Sequence, residues 1–365
     1  MDLLRNPYRT RGLPATAGLA EGRVVSDPAG VDALLARCPV AAVTPLLEAP
    51  TLAGELAVAQ LYLKDERGRM GLGSFKALGA AHVVARMAAE RVDRPGAPAG
   101  DEQLADALGG VVFACASAGN HGLSVAAGAR VFGARAVIYL SAAVPESFAR
   151  RLRARGAEVV RSGADYEASM AAVEAEAAAR GWVLLSDSSW PGYVEVPTRV
   201  MEGYLAMAAE ITEALDRPPT HVLLQAGVGG LAAAVTALLR ARWGEDLVIV
   251  VAEPTAAPAL IESVRAGRAV TTGGPASSMG RLDCKAPSHL ALTELARAAD
   301  MFVTLDDDEV EATVELLRRH GIATTPSGAA GVAALHHADA HREALGLDAR
   351  SRVLALITEG PEDAG

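Results

Sequence analysis

Three short segments carry the residue types from which chemistry could be built: Gly71-Leu-Gly-Ser-Phe-Lys76, Ser117-Ala-Gly-Asn-His-Gly122 and Gly227-Val-Gly-Gly230. Lys76 closes a small polar turn and opens a helix-period pattern running to about Arg91. Its neighbours are apolar or small, so its ammonium should be poorly hydrated. Desolvation lowers a lysine pKa and frees the neutral amine to attack a carbonyl. An ordinary solvated lysine is the other reading. Gly227–Gly230 sits between a strand-like run, Val222–Gln225, and a helical run from about Leu231. Glycines there let backbone N–H groups turn toward an oxyanion, and the helix N-terminus adds its partial positive charge. A dinucleotide loop needs G-x-G-x-x-G, and here Ala232 and Ala233 follow Leu231, so a monophosphate fits better. A plain tight turn also remains open.

Ser117–Gly122 has the same strand-to-helix placement. Ser117 can cap the helix, and the open N–H groups from Ser117 through Ala118 and Gly119 to His121 could hold a substrate carboxylate. Asn120 could donate to a phenolate-like oxygen, whereas His121 reads better as a structural hydrogen-bonding residue than as a base. Thr358 follows the last strand at its carboxyl end, where ligands of open α/β sheets gather. Its hydroxyl could meet a ring nitrogen; a simple strand-end turn accounts for it equally well. A lysine nucleophile beside a phosphate-sized cradle is what an enzyme needs to hold pyridoxal phosphate as a Schiff base.

The elements that must position these residues alternate. Strand-like runs at Leu61–Glu66, Val111–Ala116, Ala136–Leu140, Glu158–Arg161, Trp182–Ser186, Val222–Gln225, Val248–Ala252, Met301–Leu305 and Val353–Ile357 are interleaved with helical stretches. Among the latter are Asp165–Ala179 and Pro197–Leu215. That rhythm means parallel strands with crossover helices in an α/β protein of two doubly wound open-sheet domains, the smaller nested within the larger. The expected division is a large cofactor-binding domain of residues 1–80 and 190–365 and a small mobile domain of residues 81–189. The first fifty or so residues read as a loop-rich wrap with several prolines, and Arg91–Gly110 as a surface connection.

Composition narrows the class. The 365 residues suffice for two domains, and with 51% apolar but only 4% aromatic residues the core must be Ala/Val/Leu packing. A net charge of −10 without any Lys/Arg cluster argues against nucleic acid, and no apolar run is long enough for a membrane. Cys38, Cys115 and Cys284 show neither CxxC nor metal-ligand spacing and read as thiols in a reducing, cytoplasmic compartment.

With these residues assembled, the chain resembles the fold-type II pyridoxal-phosphate enzymes, the tryptophan-synthase-β-like group, and within it the diaminopropionate ammonia-lyase branch. The resemblance covers about Pro39 to Gly360. Lys64-Asp-Glu with Gly-Ser-Phe-Lys76, Ser117…Gly122, Gly227…Gly230 and Pro326-Ser-Gly-Ala-Ala-Gly331 carry the group. Asp187-Ser-Ser-Trp-Pro-Gly-Tyr193 running on through Pro197 to Met201-Glu-Gly-Tyr204, and Met279-Gly-Arg-Leu-Asp-Cys284, carry the branch.

The resemblance implies that Lys76 holds the cofactor, that Gly227, Val228, Gly229 and Gly230 bind its phosphate, that Asn120 contacts its 3′-oxygen and that Thr358 faces its ring nitrogen. Ser117, Ala118, Gly119 and His121 would embrace the substrate carboxylate, and Asp187 becomes a candidate acid/base. The reaction implied is α,β-elimination of an amino acid such as 2,3-diaminopropionate to a 2-oxo acid and ammonium, by a homodimer. A β-hydroxy amino acid dehydratase and a β-replacement synthase are the alternatives. Branch members that accept both stereoisomers carry an aspartate where Ala118 stands, so action on the L-isomer, or on a different substrate, is expected. Lys285-Ala-Pro-Ser-His289 departs from the branch's acidic stretch, which leaves the expelled group open. Arg281 or Lys285, if it faced the pocket, would favour an acidic side chain. Thr325-Pro326 occupies the place of a cation-binding glutamate in some relatives, so no metal is expected.

Overall fold

The structure, a computed structural model, describes residues 1–38, 40–93 and 99–361. In chain order its strands are β1 (Leu3–Arg5), β2 (Leu46–Glu48), β3 (Gln60–Asp65), β4 (Val112–Ala116), β5 (Arg135–Leu140), β6 (Glu158–Arg161), β7 (Val183–Leu184), β8 (His221–Gln225), β9 (Val248–Pro254), β10 (Met301–Leu305) and β11 (Arg352–Ile357). They form a seven-stranded sheet in the order β1-β10-β9-β8-β11-β3-β2 and a four-stranded sheet in the order β6-β5-β4-β7. Every pairing in the small sheet is parallel, and so is every pairing in the large one except those of β1 and β2 at its edges.

Why these runs become buried parallel strands is visible in their side chains. Along β11, Val353, Ala355 and Ile357 enter one apolar cluster while Leu354 and Leu356 enter the other, the alternation of a strand covered on both faces. In the small sheet Phe113 and Cys115 of β4 and Ile138 and Leu140 of β5 join the cluster that holds Leu354 and Leu356, so one continuous core links the two sheets. Among the helices that fill that shared core are Lys76–Val92, Asn120–Val131 and Glu195–Ala214. Gly79 is required where the first and third cross, because a Cβ there would stand 2.7 Å from the Tyr204 ring.

The two interleaved α/β sheets are as expected from the sequence, and each anticipated strand is present. The N-terminal stretch, expected as a loop-rich wrap, also carries short regular elements. It contributes β1, β2 and a helix at Ala29–Leu35. Strands of three residues show no usable alternation, and both form by antiparallel pairing, β1 with the distant β10 and β2 with the next strand, β3. The expected connection Arg91–Gly110 includes a short helix at Asp101–Ala105, while its residues 94–98 lie outside the described residues. The expected domain limit at residue 80 falls inside the Lys76–Val92 helix. No helix among the described residues is long and apolar enough to cross a membrane.

Candidate active site

The chemistry-bearing segments all leave the carboxyl ends of parallel strands, the edge at which open α/β sheets bind ligands. Lys76 follows β3, Ser117–Gly122 follows β4, Asp187 follows β7, Gly227–Gly230 follows β8 and Thr358 follows β11. Because β8, β11 and β3 are neighbours, the glycine loop, Thr358 and the lysine turn lie side by side. Backbone hydrogen bonds stitch the last two together: Phe75 N–H donates to Thr358 O at 3.1 Å and Gly360 N–H to Gly73 O at 3.0 Å.

Lys76 is the first residue of its helix, and its Nζ donates to Asp187 Oδ2. Both side chains retain about a fifth of their exposure, 20% and 21%. Nζ also lies 5.2 Å from the centroid of Phe75 and 5.7 Å from that of Tyr204, within cation–π range. Burial pushes the Lys76 ammonium down, as anticipated from its neighbours, but the Asp187 carboxylate outweighs that and holds it well above its ordinary value. The expectation of a depressed lysine pKa therefore fails in the free site, for want of a partner that sequence alone did not locate. Asp187 is shifted in the complementary sense. Burial raises it, and the Lys76 charge more than reverses this, so the pair stands as ammonium and carboxylate.

The Gly227–Gly230 and Ser117–Gly122 loops both need their glycines. A Cβ on Gly227 would come within 2.9 Å of Cys284 Sγ, and Gly229 has φ +98° with Leu260 and Ala291 each 3.1 Å from where its Cβ would stand. Gly230 begins the Gly230–Trp243 helix, so the first-turn N–H groups face the loop. Among the described residues, no backbone carbonyl takes the N–H of Gly229 or Gly230. A buried Ser189–Ser288 hydroxyl pair at 2.7 Å, with Ser288 N–H donating to Val228 O at 2.9 Å, ties the Asp187 loop to this cradle. In the second loop a Cβ on Gly122 would sit 2.2 Å from Ser117 O. Asn120 starts the Asn120–Val131 helix and its Nδ2 donates to Glu359. His121 turns away, donating from Nε2 to Leu185 O at 2.8 Å, and burial lowers its pKa, which keeps it neutral.

Thr358 is buried at the end of β11, its Oγ1 3.3 Å from Gln225 Nε2. The buried Ser74 Oγ and Tyr204 hydroxyl have no hydrogen-bond partner among the described residues. Buried polar groups are rarely left so, and here they border a lysine, a hydroxyl at a strand end and a cradle of main-chain N–H groups. That donor set fits a phosphorylated aldehyde with a ring nitrogen. Two thiols complete the surroundings; burial pushes Cys284 up to about 12 and Cys115 higher, so neither is poised for reaction.

Several of these residues had no role assigned from sequence: Tyr204, Ser189, Ser288, Gln225 and Glu359. Most lie inside motifs already recognised, but which neighbour each would meet is a tertiary matter. Arg281 reaches the site, with Nε where a Cβ on Gly119 would stand 3.3 Å away and 3.9 Å from Glu359 Oε2. Lys285 does not. It pairs with Asp283 at 2.6 Å and donates to Ala256 O and Pro275 O.

Comparison with known proteins accords with this geometry. Residues 39–359 match the family described as pyridoxal-phosphate dependent enzyme. A diaminopropionate ammonia-lyase of Salmonella typhimurium is 31% identical over 98% of this chain and 95% of its own length. A mouse serine dehydratase-like protein is 30% identical over 80% of this chain and 82% of its own. Among solved structures, diaminopropionate ammonia-lyase from Escherichia coli in complex with D-serine superposes with a TM-score of 0.88 at 28% identity, covering 99% of this chain and 94% of that one. The chain, whose lysine, cradle and strand-end hydroxyl converge at one sheet edge, belongs to the pyridoxal-phosphate dependent enzymes.

Proposed function

We propose that the protein is a pyridoxal-phosphate-dependent ammonia-lyase that eliminates the β-amino group of 2,3-diaminopropionate or a close relative, yielding a 2-oxo acid and ammonium. The observation that carries this reading is the Lys76–Asp187 pair, which puts a base for the α-proton and an acid for the departing group within one hydrogen bond. Bound pyridoxal phosphate supplies an electron sink that acidifies the substrate α-carbon. Gly227, Val228, Gly229 and Gly230 hold its phosphate through main-chain N–H groups, Asn120 its 3′-oxygen and Thr358 its ring nitrogen. Ser117 to His121 receive the substrate carboxylate at the N-terminus of the Asn120–Val131 helix.

Lys76 Nζ takes the α-proton. Ammonia leaves poorly unless protonated, so an acid is needed. Burial opposes the ionisation of Asp187, and the Lys76 charge is the largest influence that restores it. Whenever Nζ is neutral that influence is gone, and burial then raises the proton affinity of Asp187. The two residues thereby form a relay from Nζ through the Asp187 carboxyl to the β-nitrogen. Thr358, a neutral partner, leaves the ring nitrogen less positive than an aspartate would, which favours expulsion of the β-substituent. The four-stranded unit, read as the small mobile domain of residues 81–189, would close to exclude water. A homodimer accords with Val40 and Val43, apolar and 61% and 75% exposed, and a cytoplasmic location with three unpaired cysteines.

The second reading, a β-hydroxy amino acid dehydratase, is favoured by Ala118, whose loop lacks the second carboxylate of branch members. A panel of L- and D-amino acids bearing β-amino or β-hydroxy groups, scored for ammonium and 2-oxo acid, tests both. Turnover of L-2,3-diaminopropionate well above that of serine and threonine is expected. The reverse order would replace the ammonia-lyase reading by the dehydratase.

A further inference from the structure

A cavity of about 440 Å³ opens beside the candidate active site, within the range of ligand pockets. Asn120 and Glu359 belong to its lining, and so do Arg67, Arg151, Arg155 and Arg281. Among the described residues, four guanidinium groups line the cleft with one carboxylate, Glu359, in a chain whose net charge is −10. Arg67 is committed to Asp65 at 2.7 Å, and Glu359 takes hydrogen bonds from Asn120 and Thr325. Arg151 and Arg155, on and just beyond the Glu146–Ala154 helix, form no ion pair among the described residues. Arg281 links the cavity to the reacting centre because it also lies against Gly119 of the substrate-carboxylate loop. Cations concentrated in a cleft attract and orient anions, and arginine matches carboxylate and phosphate in shape.

We propose that this cleft is a subsite for a second acidic group on the substrate side chain, so that the enzyme, besides 2,3-diaminopropionate, acts on α-amino acids carrying a carboxylate or phosphate at or beyond Cβ. The proposal rests on the elimination reading and extends its substrate class. The chemistry is unchanged. The Cα–H and Cβ–X bonds break, the α-proton goes to Lys76 Nζ, and the Cβ–X electron pair leaves with X, as phosphate or, once protonated, as water or an amine. No oxidant or co-reactant is needed.

The test uses the cofactor-loaded enzyme and two matched pairs: O-phospho-L-serine against L-serine, and 3-hydroxy-L-aspartate against L-threonine. The acidic member of at least one pair should be favoured by about tenfold or more in kcat/KM, the worth of one charge-assisted contact. The double variant Arg151→Ala/Arg155→Ala should erase that preference through KM and change turnover of 2,3-diaminopropionate by less than about twofold. Arg155 is exposed, Arg151 is half-buried, and neither belongs to the apolar core, so folding should survive. Calorimetry with inorganic phosphate should show binding to the parent enzyme that weakens about tenfold in the double variant. Equal kcat/KM within both pairs, or a preference unmoved by the double variant, overturns the subsite. Phosphate that accelerates 2,3-diaminopropionate turnover instead of competing with acidic substrates marks an effector site and also overturns it. Absence of turnover on every substrate would count against the elimination reading itself, and phosphate calorimetry would then still decide the cleft.

Discussion

Two lysine–carboxylate pairs stand at either end of the same turn, and they are built for different purposes. Lys64, at the end of β3 and 1% exposed, donates to Glu210 Oε2 at 2.5 Å and to Thr44 O at 2.6 Å. Arg69, equally buried, makes paired hydrogen bonds to both Glu66 and Glu210 at 2.7 to 2.8 Å and reaches Ala42 O and Thr44 Oγ1. Two cations and two carboxylates thus neutralise one another with every partner in place, the condition under which buried charge is tolerated. Burial raises Glu210, but Arg69 and Lys64 outweigh it and hold that carboxyl low. Lys76, by contrast, has one carboxylate, keeps a fifth of its exposure and borders unpartnered hydroxyls. The first cluster anchors the turn, including Met70 at φ +49°. The second is left adjustable, so that a change at one member is felt by the other.

The sharpest way to break the contrast is Lys76→Ala. Turnover and the absorbance of the bound cofactor should both vanish while the midpoint of urea unfolding stays near that of the parent; a coloured, active variant would remove Lys76 from the site. Asp187→Asn should retain the absorbance but lose about 10²- to 10⁴-fold in kcat, the usual worth of a positioned acid. An unchanged turnover number would leave the pair without its second half. Arg69→Met leaves the buried Glu66 carboxylate without its cation and Glu210 with Lys64 alone, and should cost roughly 3–5 kcal/mol in denaturant unfolding, an effect on stability that Lys76→Ala lacks.

Glu253 offers a third case, a buried carboxyl with no cation among the described residues, held by the N–H groups of Leu260 and Ile261 at 2.8 Å. Burial pushes it up to about 8 despite those two hydrogen bonds. A raised folded pKa means its contribution is whole below the unfolded value of 4.5 and lost as pH rises through about 8. Unfolding at about pH 5 and about pH 9 should therefore differ more in the parent than in Glu253→Gln, by at most a few kcal/mol. The smallest expected effect is Ala118→Asp, which should add slow turnover of D-2,3-diaminopropionate to that of the L-isomer. No gain, measured as ammonium release, would place stereochemical control elsewhere in the pocket.

Much of this molecule is written locally. Strands such as Val222–Gln225 and Val353–Ile357 are continuous apolar runs because both faces are covered, and Gly229 is a glycine because φ +98° admits little else. Lys76, the glycine cradle and Thr358 were legible for the same reason: each is a short-range signal joined to a strand end. What the chain by itself could not disclose is which distant groups meet. Asp187 sits 111 residues from Lys76 and reverses the sign of its expected pKa shift. Arg281 reaches Gly119 while Lys285, four positions on, turns to Asp283. Propensity and periodicity act through neighbours in sequence, whereas ion pairing and desolvation depend on distance and burial, and only the packed sheets determine those.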